Sequence, residues 1–236
     1  RTTWLISASD GSKIELAYDR GEICSSLKAE EINEIELELV SGERGSLFQL
    51  AAMLFESIAM RPGTLSKAAR GYGLVFGRTE PHISSASTEL GLTANMSVMQ
   101  SFKAGIAECL AQLQHLIAQF EHAPDLYRLK EVSDSLALAR QGIWLYQDYL
   151  PLETAKSLRK QIKAILKEIA WVEVATQIQE LTTKTGNFRK KIENSQSLLT
   201  QLKHVLIKMP DFSTVTMLLH GQAVNQLQLE LLQLVL

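Results

Sequence analysis

"INEIELELVSG", Ile32 to Gly42, sets Glu34, Glu36 and Glu38 on every second position with Ile35, Leu37 and Leu39 between them. Successive side chains of an extended chain point to opposite faces, so the stretch predicts a strand with three carboxylates on one face and three aliphatics on the other. An ordinary half-buried strand turns such glutamates to water. Three like charges spaced about 7 Å apart on one face nevertheless repel, and a cation helps to hold them together. Mg²⁺ suits that role, because it prefers hard oxygen ligands and takes one or two carboxylates, with waters and phosphates completing its octahedron.

Upstream, "KIELAYD" repeats the design: Lys13, Glu15 and Asp19 share one parity and Ile14, Leu16 and Tyr18 the other. "TTWLISA" and the turn "SDGS" precede it, and its alternation runs until "RGE", so a meander of strands is predicted. Gly42 ends the meander. "GSLFQLAAMLFESIA" then spaces Leu47, Leu50, Ala51, Leu54, Phe55 and Ile58 at helical intervals, with Ser46 as a candidate N-cap and a stop before "RPG".

From about Thr93 the period is 3.6, and five helices are predicted. The first is marked by Met96 through Phe120 and the second, after the break "HAPD", by Leu129 through Tyr146. A third runs from Pro151 to near Gly186, a fourth over about 187 to 207, and a fifth follows "MPDFS". The fold class is therefore α+β, a β-rich part over residues 1–80 and an all-α bundle over 90–236, with the boundary between Arg78 and Leu90.

The chain has 236 residues, 46% of them hydrophobic, which is ample for a core. Charges interrupt every apolar run before the length of a membrane span, and no signal peptide is recognisable. Cys24 and Cys109 lie far apart without metal-ligand spacing, which fits a reducing, cytoplasmic setting with each packed as a small apolar residue. Residues 1–80 carry 9 Lys+Arg against 12 Asp+Glu, and the rest 15 against 14, so neither part has the basic excess of a nucleic-acid binder. The chain begins at Arg1 and ends in "LQLELLQLVL", and it reads as a piece of something longer.

Taken in order, "RTTWLI", "DGSKIELAYDRGE", "INEIELELVSG", "LFQLA" and "LSKAARGY" resemble the C-terminal half of a CYTH domain. That is the fold of class IV adenylate cyclases, thiamine triphosphatases and inorganic triphosphatases, the triphosphate tunnel metalloenzymes. "SKAARGY" leading straight into a helical region is similar to the bacterial inorganic triphosphatases that join a CYTH domain to a CHAD domain. The resemblance implies an eight-stranded antiparallel barrel around a hydrated tunnel, with polar side chains pointing in. It also implies an upstream half of the barrel, carrying an E-x-E-x-K strand that this chain lacks. The implied activity is hydrolysis of inorganic triphosphate to diphosphate and phosphate, with Mg²⁺ or Mn²⁺ as cofactor, and this chain alone would be inactive.

Carried over by position, Arg1 resembles a tunnel arginine that binds substrate phosphate and Asp19 an acid at the metal site. The family's E-x-E metal pair matches Glu34 with Glu36 or Glu36 with Glu38; Glu36 belongs to both registers. Lys67 resembles the family's late lysine, so Glu36 and Lys67 are the candidate catalytic residues, with Arg70 and Lys13 as further cations for substrate. If "LSKAARGY" is extended, Lys67 and Arg70 point to opposite sides; if it is a helical turn capped by Ser66, they project together.

CHAD domains are associated with polyphosphate binding through basic, histidine-rich faces. The corresponding stretch here, "DLYRLKEVSDSLALARQGIWLYQDYLP", keeps Arg128, Lys130 and Arg140 but lacks the histidine. The five histidines of the chain show no pairing at helical spacing, which argues against a metal site among them. Arg159, Lys160, Lys163 and Lys167, with Arg189, Lys190 and Lys191, form either the solvated side of two helices or a weak anion-binding face. A second expectation is therefore a catalytically incomplete scaffold that binds polyphosphate or a protein.

Overall fold

The computed structural model describes residues 1–26, 28–76, 91–182 and 195–236. The chain divides into two compact units, Arg1–Thr88 and Glu89–Leu236. The expected boundary between Arg78 and Leu90, the helix end near Gly186, the start of the helix after it, His82 and the Arg189–Lys191 cations lie outside the described residues.

In the first unit, strands β1 (Thr2–Ser7), β2 (Lys13–Cys24) and β3 (Ala29–Ser41) form an antiparallel sheet in the order β1-β2-β3. Ile14 faces Leu39, Leu16 faces Leu37 and Tyr18 faces Ile35, while Trp4 and Ile6 of β1 face Leu16 and Ile14. Cross-strand apolar pairs of this kind hold one face of the sheet together. The strands pair further than the sequence predicts: β2 runs on through Arg20, Gly21 and Glu22, and the turn falls at Ser25 and Lys28. There the Ser25 N–H donates to the Lys28 carbonyl at 2.7 Å and the Lys28 N–H to Ser25 Oγ at 3.0 Å. Gly21 pairs with Ile32 and has open space where a Cβ would stand, so ladder hydrogen bonds carry the strand past a residue whose cost is only entropic. Cys24 is exposed rather than packed, because β2 continues to the hairpin end, where side chains meet solvent. Three strands leave the sheet open among the described residues, and no barrel is closed.

Helix α1 (Arg44–Ser57) packs on β3, and α2 (Lys67–Phe76) packs on β2. Ser46 is not the N-cap of α1; it lies one turn in, is buried, and donates its hydroxyl to Asp10 Oδ2 at 2.7 Å. Asp10, in the β1–β2 turn, also accepts from the Ser12 N–H at 2.9 Å and the Ser12 hydroxyl at 2.8 Å. Ser12 Oγ in turn accepts from the Glu43 N–H at 2.9 Å. The Ser46 hydroxyl, followed by the Ser12 donors, holds the Asp10 carboxyl below its usual range. Gly42 completes this tie: its φ is +105° and an added Cβ would stand 2.6 Å from Ser12 Cα.

The second unit holds α3 (Val98–His122), α4 (Leu126–Leu145), a 3-10 turn (Gln147–Tyr149), α5 (Leu152–Glu168), α6 (Trp171–Thr182), α7 (Ser195–Ile207), α8 (Phe212–Leu219) and α9 (Gln222–Val235). Ser97 and Gln100 form a reciprocal capping box at α3, and Asp125 and Asp211 cap α4 and α8 through the Arg128 and Thr214 N–H groups, each at 2.8 Å. Two of the five predicted helices are split. The third breaks at Ile169, where the Ala170 N–H reaches the Lys167 carbonyl at 3.4 Å and the Val172 N–H the Ile169 carbonyl at 3.0 Å. This tightening lets Ile169 and Val172 both enter the core. The fifth breaks at Gly221, extended at φ −69° and ψ 161°, where Asn225 Nδ2 donates to the His220 carbonyl at 2.9 Å.

Helix α4 packs on α3, α5 and α6, and its Leu129, Val132, Leu136 and Ile143 are fully buried. Leu158 and Ile162 of α5 and Val224 and Leu227 of α9 join the same core, and Cys109 packs at its margin. Phe120 meets Phe212 edge to face at 5.6 Å. No helix among the described residues is long and apolar enough to cross a membrane.

Candidate functional site

The β2–β3 register sets Asp19 opposite Glu34, Ala17 opposite Glu36 and Glu15 opposite Glu38, so acids from two strands share a face. Asp19, Glu34 and Glu36 each offer an oxygen within 4.8 Å of the other two. Asp19 is buried, Glu34 half-buried and Glu36 exposed.

The "LSKAARGY" stretch is helical. Ser66 Oγ accepts from the Ala69 N–H at 3.2 Å, and Lys67 is the first residue of α2. Lys67 and Arg70, three apart on the helix, therefore project together onto the acids. Lys67 Nζ lies 2.7 Å from Asp19 Oδ2 and 2.5 Å from Glu36 Oε1, and it pairs with Glu34 Oε1 as well. Arg1 donates from Nε to Asp19 Oδ1 at 2.7 Å and from Nη2 to Asp19 Oδ2 at 2.6 Å, and Nη2 also pairs with Glu36 Oε2. Arg70 donates to Glu34 Oε2 at 2.9 Å, to Glu30 Oε1 at 2.6 Å and to the Glu31 carbonyl at 2.7 Å.

These contacts favour the ionised forms of Asp19 and Glu36. Arg1, and after it Lys67, holds the Asp19 carboxyl far below the usual carboxylate range, against the opposing effect of its burial. Glu36 is lowered chiefly by the hydrogen bond from Lys67. In return Lys67 is raised by Asp19, Glu34 and Glu36, and Arg1 by Asp19.

Of the residues singled out from sequence, the fold brings together Arg1, Asp19, Glu34, Glu36, Lys67 and Arg70. Glu38 stands one step along β3, opposite Glu15 and outside the oxygen cluster, and Lys13 is exposed at the start of β2, opposite Ser41. Glu30, which sequence reading passed over, anchors Arg70. It shares the parity of Glu34, but Ile32 interrupts the acidic alternation between them. The three oxygens are hard donors of the kind that Mg²⁺ and Mn²⁺ take, so the residues fit such an ion.

In the helical unit, Arg140 of α4 and Lys156, Arg159, Lys160 and Lys163 of α5 line a shallow cavity of about 350 Å³. The four α5 cations recur at i, i+3, i+4 and i+7, which makes one stripe. The Nε atoms of Arg140 and Arg159 are buried without a hydrogen-bond partner, while Arg159 Nη1 donates to Gln147 Oε1 at 3.0 Å. Arg128 and Lys130 are engaged by acids instead, Arg128 by Asp125 and Lys130 by Asp134 and Glu173.

No family model matches the chain. Over 72 residues, 30% of its length, it is 40% identical to the inorganic triphosphatase of Haemophilus influenzae, and the match spans 20% of that protein. The chain is thus similar, over less than a third of its length, to one segment of a triphosphatase.

Proposed function

We propose that this chain supplies one wall of a metal-dependent triphosphatase that hydrolyses inorganic triphosphate to diphosphate and phosphate. The observation that carries the reading is the convergence of Asp19, Glu34 and Glu36 with Arg1, Lys67 and Arg70 on one face of the sheet. The likeness to an inorganic triphosphatase, whose length far exceeds the match, supports the same reading.

Asp19, Glu34 and Glu36 would hold Mg²⁺ or Mn²⁺, which when bound neutralises phosphate charge and orients the scissile anhydride. Arg1 and Arg70 fix the carboxylates and offer planar donor forks to phosphate oxygens, and the Lys67 ammonium neutralises charge on the transferred group. The test is phosphate release from triphosphate with Mg²⁺ by the intact protein. A Glu36→Ala variant should lose activity by about 100-fold or more. Equal rates in the two proteins would remove Glu36 from the site.

The stripe on α5 supports a second reading, in which the helical unit binds polyphosphate. Polyphosphate titrated into the full chain should then bind saturably, weaken with added salt, and bind less tightly to Arg159→Gln. Salt-independent or unsaturable binding would exclude it.

A further inference from the structure

The cations divide the carboxylate oxygens unequally. Glu34 gives Oε1 to Lys67 and Oε2 to Arg70, and Glu36 gives Oε1 to Lys67 and Oε2 to Arg1. Among the described residues, Asp19 gives Oδ1 to Arg1 and Oδ2 to both Arg1 and Lys67. The arginines thus brace the outer oxygens, while one ammonium sits in the hollow where the inner oxygens of all three acids meet.

An ammonium has three donors, and Lys67 directs one to each carboxylate. Mg²⁺ needs its oxygens at about 2.0–2.1 Å, in the space that Lys67 Nζ fills. Two cations cannot share it. Of the three basic residues, Lys67 is the one suited to leave: a point charge on a flexible four-carbon stem, whereas a guanidinium holds two oxygens in a rigid fork. Its backbone need not move, because Ser66 caps the start of α2. The first turn of a helix is moreover an unfavourable place for a cation, and the pairing with Asp19, Glu34 and Glu36 opposes that effect.

We infer that Lys67 is the resident cation of the cluster, that a divalent metal ion displaces it, and that the released ammonium then passes to the substrate phosphate. Charge supports the exchange. Asp19, Glu30, Glu34 and Glu36 against Arg1, Lys67 and Arg70 make four negative charges and three positive, a balance that a metal ion reverses unless an anion arrives with it. Metal and triphosphate are therefore expected to bind as a pair, with Lys67 exchanging carboxylates for phosphate.

This inference rests on the metal-holding role of Asp19, Glu34 and Glu36, and Mn²⁺ binding separates the two. Free Mn²⁺ is followed by paramagnetic resonance in titrations of the full chain, without triphosphate, as wild type and as Lys67→Met. The variant, its fold checked by circular dichroism, should bind Mn²⁺ on the order of tenfold more tightly, because the competing charge is gone. Equal or weaker binding by the variant overturns the exchange while leaving the metal site standing. Absence of binding to either protein overturns both. Should Lys67→Met fail to fold, the Lys67 Cε–Hε correlation is followed by NMR as Mg²⁺ is added to the wild-type chain. It should move toward the position of a solvated lysine, and a fixed correlation while Mg²⁺ binds overturns the exchange.

Discussion

At the scale of single residues, Asp19 and Glu36 titrate lower in the folded chain than in the unfolded one, and Lys67 titrates higher. The signs follow by linkage. The carboxylates contribute stability that is complete above their unfolded value, near pH 4, and is lost as pH falls through their lowered folded values. Lys67 contributes stability that is complete below its unfolded value, about 10.5, and is lost only as pH rises through its higher folded value. The thermal midpoint of the sheet unit should therefore be insensitive to this cluster from about pH 5 to 9 and fall on acidification below about pH 4, with a shallower acid limb in Asp19→Asn. An acid limb of unchanged slope in that variant would contradict the assignment. The parity of Glu34, Glu36 and Glu38 was legible in the sequence. The choice among them was not, because it depends on which oxygens face Asp19 across the ladder and which a helix more than 25 residues later can reach.

At the scale of elements, the turn after β1 and the start of α1 are tied through Asp10, Ser12 and Ser46, with Gly42 in a left-handed conformation against Ser12. Gly42→Ala combines backbone strain with overlap on a neighbouring main chain, and it should cost at least about 2 kcal/mol in chemical denaturation of the sheet unit. A cost within experimental error would mean that the turn adopts another conformation. The strands and long helices were readable from their periods. The break at Ile169 was not, since "KEIAWVEV" contains neither glycine nor proline and the chain turns only to bury Ile169 and Val172. Gly221 did mark the α8–α9 break, but the apolar residues on either side keep a helical period through it. The length of β2 was masked likewise: "RGE" reads as a turn until Gly21 is seen paired with Ile32.

At the scale of the whole molecule, each unit has its own source of stability. The helical unit rests on a continuous aliphatic core, and Leu136, fully buried on α4, tests it. Leu136→Ala should lower the stability of that unit by about 2–5 kcal/mol, read from the loss of helical circular dichroism in denaturant. A loss under about 1 kcal/mol would indicate a site that collapses around the deletion. The α+β division was legible because the period changes from two to 3.6 along the chain. That the sheet stays open among the described residues was expected from the resemblance to half a barrel, and not from strand periodicity, which does not say how many strands complete a wall.

The long β2–β3 ribbon also shapes how the sheet unit forms. Zipping outward from the turn at Ser25, it brings Glu22 against Glu31, then Asp19 against Glu34, then Glu15 against Glu38. Lys67 and Arg70 come much later in the sequence, and they answer this repulsion only after α2 has docked. Hairpin closure is local and fast, on the order of microseconds, so the like charges meet before the helix arrives. Folding of this unit should therefore accelerate as ionic strength rises from low to moderate, where ions screen the ribbon. Its unfolding should gain less, because the native cluster already carries its own countercharges.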